Sequence, residues 1–96
     1  MPRIERTYPA RDDLRQIWFY VAQHNLNAAD RLIDRFEQTL QSLARRPMMG
    51  ESADHFRAGL RRFTQGNYVL YYQPIDNGVR LIRVLHGARR IEDLLD

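Results

Sequence analysis

The sequence has 96 residues, which is the size of one domain with one hydrophobic core, and we expect a single domain over residues 1–96. It contains no cysteine, which excludes disulfides and thiolate metal sites and is compatible with a reducing compartment. No apolar run approaches the roughly 18 residues of a membrane-spanning helix. The charged first residues predict that there is no signal peptide.

The positive charge of the chain is unevenly distributed. All 15 basic residues are arginine. Residues 1–56 carry eight arginines and eight acidic residues, whereas residues 57–90 carry seven arginines and one acid, Asp76. The last six residues carry three acids. Because residues 57–90 have the pattern of a sheet, this distribution predicts a cationic sheet and an acidic partner, either a protein or a nucleic acid.

The first part of the chain predicts a short strand and an αα-hairpin. Residues 3–8 form the candidate strand, and Pro9 suits the first position of a helix. We place Asp12 and Asp13 in the first turn, where carboxylates favour the helix dipole. A helix over residues 10–24 follows from an apolar stripe of Ala10, Leu14, Ile17, Trp18 and Val21. Phe19 and Tyr20 lie off this stripe and either cover a helix edge, which we favour, or contact a partner.

A second helix begins after a break at residues 25–27. Asn27 has the position of an N-cap, with Asp30 three residues later in the place of a capping box. Its apolar face consists of Ala29, Leu32, Ile33, Phe36, Leu40 and Leu43. Pro47 ends this helix. We expect residues 47–59 to form a loop that Met48 and Phe56 anchor to the core.

Beyond Gly59 the pattern changes to the two-residue period of strands. Strands are predicted over 60–64, 68–73 and 79–86, joined by tight turns at 65–67 and 76–78, the second of which contains the hairpin dipeptide Asn77-Gly78. Residues 91–95 predict a last helical turn. The fold class is therefore α+β, with the order β-α-α-β-β-β and a short C-terminal helix.

The two helices must cover one face of a small twisted antiparallel sheet. The N-terminal strand should join that sheet at its edge or beside the last strand. The other face is then open or half open and carries arginines, which is the geometry of a concave binding surface. On the strand 68–73, alternation places Tyr68 and Tyr72 on one face and Tyr71 on the other.

Catalytic motifs are scarce. The three histidines, His24, His55 and His86, do not have the spacing of metal ligands, and the five glycines are scattered, so we expect neither a metal nor a cofactor. His86 with Arg83, Arg89 and Arg90 could act as a general base beside phosphate-clamping arginines and cleave RNA. The alternative, which we favour, is a structural histidine at the end of a strand. The tyrosines of strand 68–73 could stack on bases, but tyrosine is also common in strands.

Several ordered segments resemble a known family. They are Asp13-Leu14-x-x-Ile17-Trp18-x-Tyr20, Ala29-Asp30-x-Leu32-Ile33, Leu43-Ala44-x-x-Pro47-x-x-Gly50, Gly59-Leu60-Arg61-x-Phe63, Tyr68-Val69-Leu70-Tyr71-Tyr72, Gly78-Val79 and Arg83-Val84-Leu85-His86-Gly87-Ala88-Arg89. Together they cover nearly the whole chain and resemble the ParE branch of the RelE/ParE toxins of bacterial type II toxin–antitoxin modules. The resemblance implies a two-helix hairpin packed on a twisted antiparallel sheet, and a small cytoplasmic toxin neutralised by a ParD-like antitoxin with an acidic C-terminal tail.

The resemblance also separates two mechanisms. RelE-like members cut messenger RNA on the ribosome, with cations on the sheet and a tyrosine near the C-terminus. Here Val69 occupies the place of one such cation, and Leu94 and Leu95 lie where that tyrosine would be. We therefore expect a non-enzymatic inhibitor of DNA gyrase that traps its cleaved-DNA complex. The alternative is a ribosome-dependent endoribonuclease using Arg62, His86 and Arg89.

We predict that the antitoxin or target binds to a cationic surface and forms a hetero-oligomer with the toxin, without direct nucleic-acid binding. The predicted contact residues are Arg61, Arg62, Tyr71, Arg80, Arg83, His86, Arg89 and Arg90. On this interpretation the substitution Arg83→Glu weakens antitoxin binding and leaves the fold intact. The resemblance assigns no residue to the gyrase contact.

Overall fold

A computed structural model describes residues 1–94. The elements in chain order are β1 (Arg3–Arg6), α1 (Tyr8–Ala22), α2 (Leu26–Arg45), a 3-10 helix (Pro47–Met49), β2 (Glu51–Ser52), β3 (Arg61–Gln65), β4 (Tyr68–Ile75), β5 (Gly78–His86) and a second 3-10 helix (Ile91–Asp93). The five strands form one sheet in the order β1-β5-β4-β3-β2. The α+β class and the predicted element order are confirmed. No helix within residues 1–94 is long and apolar enough to cross a membrane.

Helix α1 begins two residues earlier than predicted. Its N-cap is Thr7, whose hydroxyl accepts a hydrogen bond from the Ala10 amide at 3.1 Å. Pro9 is therefore the second helical residue rather than the first. Asp12 and Asp13 lie beyond the first turn, so their predicted role beside the helix dipole is wrong.

Helix α2 also begins earlier than predicted, and its N-cap is Asn25 rather than Asn27. The Asn25 backbone is extended, with φ −162° and ψ 107°, and its side-chain oxygen accepts from the Ala28 amide at 3.0 Å. Asn27 lies inside the helix, where it cannot act as a cap. Asp30 accepts a hydrogen bond from Trp18 Nε1 at 2.8 Å and so joins the two helices. The end of the helix before Pro47 is confirmed.

The sheet is mixed rather than antiparallel. Strands β3, β4 and β5 form the predicted antiparallel meander, and Asn77, with φ 59°, forms the predicted hairpin turn. β1 lies at the edge beside β5 as expected, but it runs parallel to β5. Alternation predicts which face a side chain occupies, not the direction of the neighbouring strand, and this explains the error. The two-residue β2 was not predicted because both of its residues are exposed and it is too short to show a period.

The helices cover one face of the sheet, where Phe36 and Leu40 of α2 pack on Leu70, Leu81 and Val84. The opposite face is not fully open. A second cluster covers part of it and consists of Ala53, Leu60, Tyr71, Ile82, Leu85 and Ile91. The loop after β2 and the C-terminal segment thus form a second core against β4 and β5.

The loop anchors are half confirmed. Phe56 packs against this second cluster, whereas the side chain of Met48 is 70% exposed and anchors nothing. The predicted C-terminal helical turn is present over Ile91–Asp93, and its predicted last residue, Leu95, lies outside the described residues.

Candidate functional site

The largest concavity is a groove of about 460 Å³ between α1 and the C-terminal half of β5, which we call the α1–β5 groove. Its lining residues are Asp13, Gln16, Ile17, Tyr20, Asn67, Tyr68, Val84, His86 and Arg89. Two of the predicted site residues, His86 and Arg89, therefore lie together at its rim. Ile17 and Val84 supply its apolar surface, and helix α1 supplies Gln16 and Tyr20.

Aromatic rings form the walls of the groove. The Tyr68 ring lies edge-on to Phe36 and to His86, with centroid distances of 5.6 and 5.7 Å. Burial raises the pKa of the Tyr68 hydroxyl, and Tyr20 adds to this effect, so the hydroxyl stays protonated at neutral pH. Tyr20 is 66% exposed, so it does not cover a helix edge as we expected. The His86 ring accepts a hydrogen bond from the Ala88 amide at its Nδ1, at 3.3 Å.

One carboxylate, Asp13, organises the wall between α1 and β5. Arg83 donates to it from Nε at 2.7 Å and from Nη2 at 2.8 Å, and the backbone amide of Val84 donates at 3.0 Å. Strand β1 pairs with β5 only as far as Leu81, so the amide of Val84 has no strand partner on that side. Asp13 satisfies it in place of a strand.

The Asp13–Arg83 pair changes the expected role of Arg83. The hydrogen bond to Asp13 raises the pKa of the Arg83 guanidinium, which is held between α1 and β5 rather than presented to solvent. Arg83→Glu would place two carboxylates against each other. We therefore replace the expectation of an intact fold in this variant by that of a destabilised one.

Three other arginines of the predicted site are also held within the chain. Arg80 binds Glu5 of β1 at 2.9 Å. Arg90 binds Glu92 at 2.6 Å, which raises the pKa of the Arg90 guanidinium. Arg61 donates to the Gly50 carbonyl from Nε at 3.1 Å and also binds the Met48 carbonyl, so it fixes the turn after α2.

The remaining two predicted residues lie away from the groove. Tyr71 is 5% exposed and belongs to the second core cluster. Arg62 lies opposite Tyr71 in the β3–β4 ladder, on the face turned away from the helices. His86 lies opposite Tyr68, whose ring contacts Phe36 of α2 on the helix side. The structure therefore places Arg62 and His86 on opposite faces of the sheet and does not bring them together.

The folded charge distribution differs from the one predicted along the chain. Glu5, Asp13 and Glu92 lie outside the cationic segment in sequence but pair with its arginines in the fold. Within residues 1–94, no carboxylate forms an ion pair with Arg62 or Arg89. The sheet is thus less cationic than its sequence indicates, and Arg89 supplies the positive charge at the groove.

Sequence reasoning missed Asp13 and Tyr20 as parts of this site. A signal for Asp13 was present, because it lies three residues after Ala10 and four before Ile17, on the apolar stripe of α1. A carboxylate in such a position needs a buried partner, and arginine is the common one. Within residues 1–94 no group of three or more His, Cys, Asp or Glu side chains is arranged to hold a metal ion.

The architecture defines the class of the protein. A two-helix hairpin that follows an edge strand and packs on one face of an antiparallel meander is the fold implied by the resemblance to RelE/ParE toxins. A chain of a chromosomal ParDE toxin–antitoxin system from P. aeruginosa has the same fold, with a TM-score of 0.72 at 17% sequence identity. The match covers 90% of this chain and 96% of that one.

Sequence comparisons identify the family within this class. Residues 4–91 match the family model of the ParE toxin of the type II toxin–antitoxin system parDE. Toxin ParE1 of Caulobacter vibrioides is 35% identical over 80 residues, which are 82% of each chain. The chain therefore belongs to the ParE toxin family, and it is a ParE-type toxin of a ParDE toxin–antitoxin system.

Proposed function

We propose that this ParE-type toxin inhibits DNA gyrase without catalysing a reaction, that it acts in the cytoplasm, and that a ParD-like antitoxin with an acidic tail neutralises it. The observation that carries the proposal is the match to the ParE family over residues 4–91. The family is the branch that the sequence resemblance links to gyrase. Binding of an antitoxin is implied by membership in a ParDE system.

The arrangement of the alternative catalytic residues supports a non-enzymatic toxin. An endoribonuclease that used Arg62, His86 and Arg89 would need all three around one phosphate. His86 and Arg89 share the α1–β5 groove, but Arg62 lies on the other face of the sheet. A general base without the second cation would receive little help in stabilising the charge that develops on the phosphate.

Two apolar positions give independent support. Val69 and Leu94 stand where the RelE-like ribonucleases resemble one another in carrying a cation and a late tyrosine. In this chain both side chains pack against the second core cluster. These positions contribute to stability through burial, and neither can transfer a proton or bind a phosphate.

The proposal is tested by a gyrase supercoiling assay with the purified toxin, in the presence and absence of the antitoxin encoded beside it. We expect loss of supercoiling with the toxin and recovery when the antitoxin is added in equimolar amount. Unimpaired supercoiling at a large excess of toxin that still arrests growth would refute the gyrase target.

The same cells test the enzymatic alternative. Primer extension on messenger RNA after induction should show no new cuts if the toxin is not a ribonuclease. New cuts that disappear in His86→Ala would establish the endoribonuclease instead. Growth that continues normally after induction without antitoxin would contradict both activities.

A further inference from the structure

The α1–β5 groove combines an unused apolar surface with one uncompensated cation. Tyr20 is 66% exposed at its edge, although burial of an aromatic ring is favourable by a few kcal/mol, about 1.5–3 for a comparable side chain. Ile17 and Val84 lie beside it within the same concavity. An exposed ring next to a concave apolar surface is typical of a site that binds a side chain of another molecule.

The charge of the groove is positive because its one lining carboxylate is already neutralised. Asp13 is 7% exposed and accepts three hydrogen bonds from Arg83 and the Val84 amide. Asp12, its neighbour in sequence, is paired with Arg15. Arg89 is exposed at the rim, and no carboxylate of residues 1–94 pairs with it. A single anionic group that enters here would meet a cation with no competing partner in that range.

We propose that the α1–β5 groove is the anchor site for an acidic peptide segment in which an apolar or aromatic side chain stands next to a carboxylate. The apolar side chain packs on Ile17 and Val84 between Tyr20 and Tyr68, and the carboxylate pairs with Arg89. This inference rests on the proposed function, because the antitoxin of the module is the protein that would supply such a segment.

The arrangement fits a peptide better than a nucleic acid. A single strand of nucleic acid needs a row of cations that follows its phosphates. Around the groove, Arg83 and Arg15 are engaged by Asp13 and Asp12, which leaves Arg89 alone. One cation beside an apolar surface matches one carboxylate beside an apolar side chain.

The test uses two small probes of opposite charge on the ¹⁵N-labelled toxin. N-acetyl-Glu-Phe-amide and N-acetyl-Lys-Phe-amide share the aromatic anchor and differ in the charge beside it. We expect the acidic probe to shift the amide resonances of Ile17, Tyr20 and Tyr68 at a concentration about two- to fivefold lower than the basic probe. This ratio corresponds to one exposed ion pair.

Variants of matched charge decide whether Arg89 is responsible. Arg89→Glu should reverse the order of the two probes, and Arg46→Glu should leave it unchanged. Arg46 is an exposed arginine at the C-terminal end of α2, and it does not line this groove. Tyr20→Ala should weaken both probes equally. Circular dichroism verifies that each variant is folded, so a loss of binding is not a loss of structure.

The result that would overturn the inference is equally specific. Both probes shifting resonances elsewhere, or binding with no preference for charge, would refute an anchor site here, as would a trinucleotide that binds the groove more tightly than the acidic probe. Gyrase assays with the same samples separate this inference from the proposed function. Binding of the acidic probe without gyrase inhibition would contradict only the proposed function, and inhibition without groove binding only the anchor site.

Discussion

The substitution Asp13→Ala removes the carboxylate that joins α1 to β5. It leaves the Arg83 guanidinium without its partner and the Val84 amide without an acceptor. The side chain of Arg83 is 15% exposed, so water can satisfy only part of the loss. Both partners of Asp13 belong to the central strand, so we expect a large decrease in the free energy of unfolding.

The size of this decrease follows from the burial of the pair. Breaking a buried ion pair by removing one partner costs about 3–5 kcal/mol, and an unsatisfied buried amide costs about 1–3 kcal/mol. These contributions are not additive, and the partial exposure of Arg83 lowers the first of them. We expect a loss of about 3–4 kcal/mol, which is a large fraction of the roughly 5–15 kcal/mol that stabilises a typical domain.

The measurement is urea unfolding followed by the fluorescence of Trp18, with Asp12→Ala as the matched control. Both variants replace aspartate by alanine in the same turn of α1, so the change in helix propensity cancels in the comparison. Asp12 pairs with the exposed Arg15, and its loss should cost about 0–1 kcal/mol. A loss for Asp13→Ala that does not exceed the loss for Asp12→Ala would refute the structural role of this carboxylate.

Three further predictions concern the frame around the site. Tyr72→Phe removes a buried hydroxyl that accepts from one backbone group of the turn after α2 at 2.9 Å and donates to another at 2.7 Å, and urea unfolding should show a loss of about 1–3 kcal/mol. Asn25→Ala should destabilise the protein by about 0.5–2 kcal/mol, and Asn27→Ala by less than about 0.5; the reverse order would contradict the assigned N-cap. The Gly59 amide lowers the pKa of Asp54 below its ordinary value of 3.8. The stability that Asp54 contributes is therefore complete above its unfolded pKa and is lost as the pH falls through the lower folded pKa, so Asp54→Asn should flatten the unfolding free energy between about pH 2 and 5.

The helices and the meander could be predicted because their local patterns agree with the fold. The stripe of α2 and the dipeptide Asn77-Gly78 each specify one local geometry, and the structure has it. The caps failed for a local reason as well. Asn25 and Asn27 are the same residue type two positions apart, and only the backbone angles decide which of them caps the helix.

The site was harder to predict because it depends on contacts between distant parts of the chain. The arginines of residues 57–90 have few acidic neighbours in sequence, but the parallel pairing of β1 with β5 brings Glu5 to Arg80. Helix α1 likewise brings Asp13 to Arg83 across 70 residues. A count of charges along the chain therefore overestimates the cationic surface, and the true candidate surface depends on Arg89 and the exposed ring of Tyr20.

The central claim, that this ParE-type toxin is a gyrase poison, is tested most directly by a plasmid cleavage assay. Purified toxin is incubated with gyrase, ATP and supercoiled plasmid, and the reaction is stopped with detergent and protease to release trapped DNA breaks. We predict linear DNA that increases with toxin concentration and disappears when the antitoxin is added first. Absence of linear DNA at an excess of toxin that arrests growth would contradict the claim.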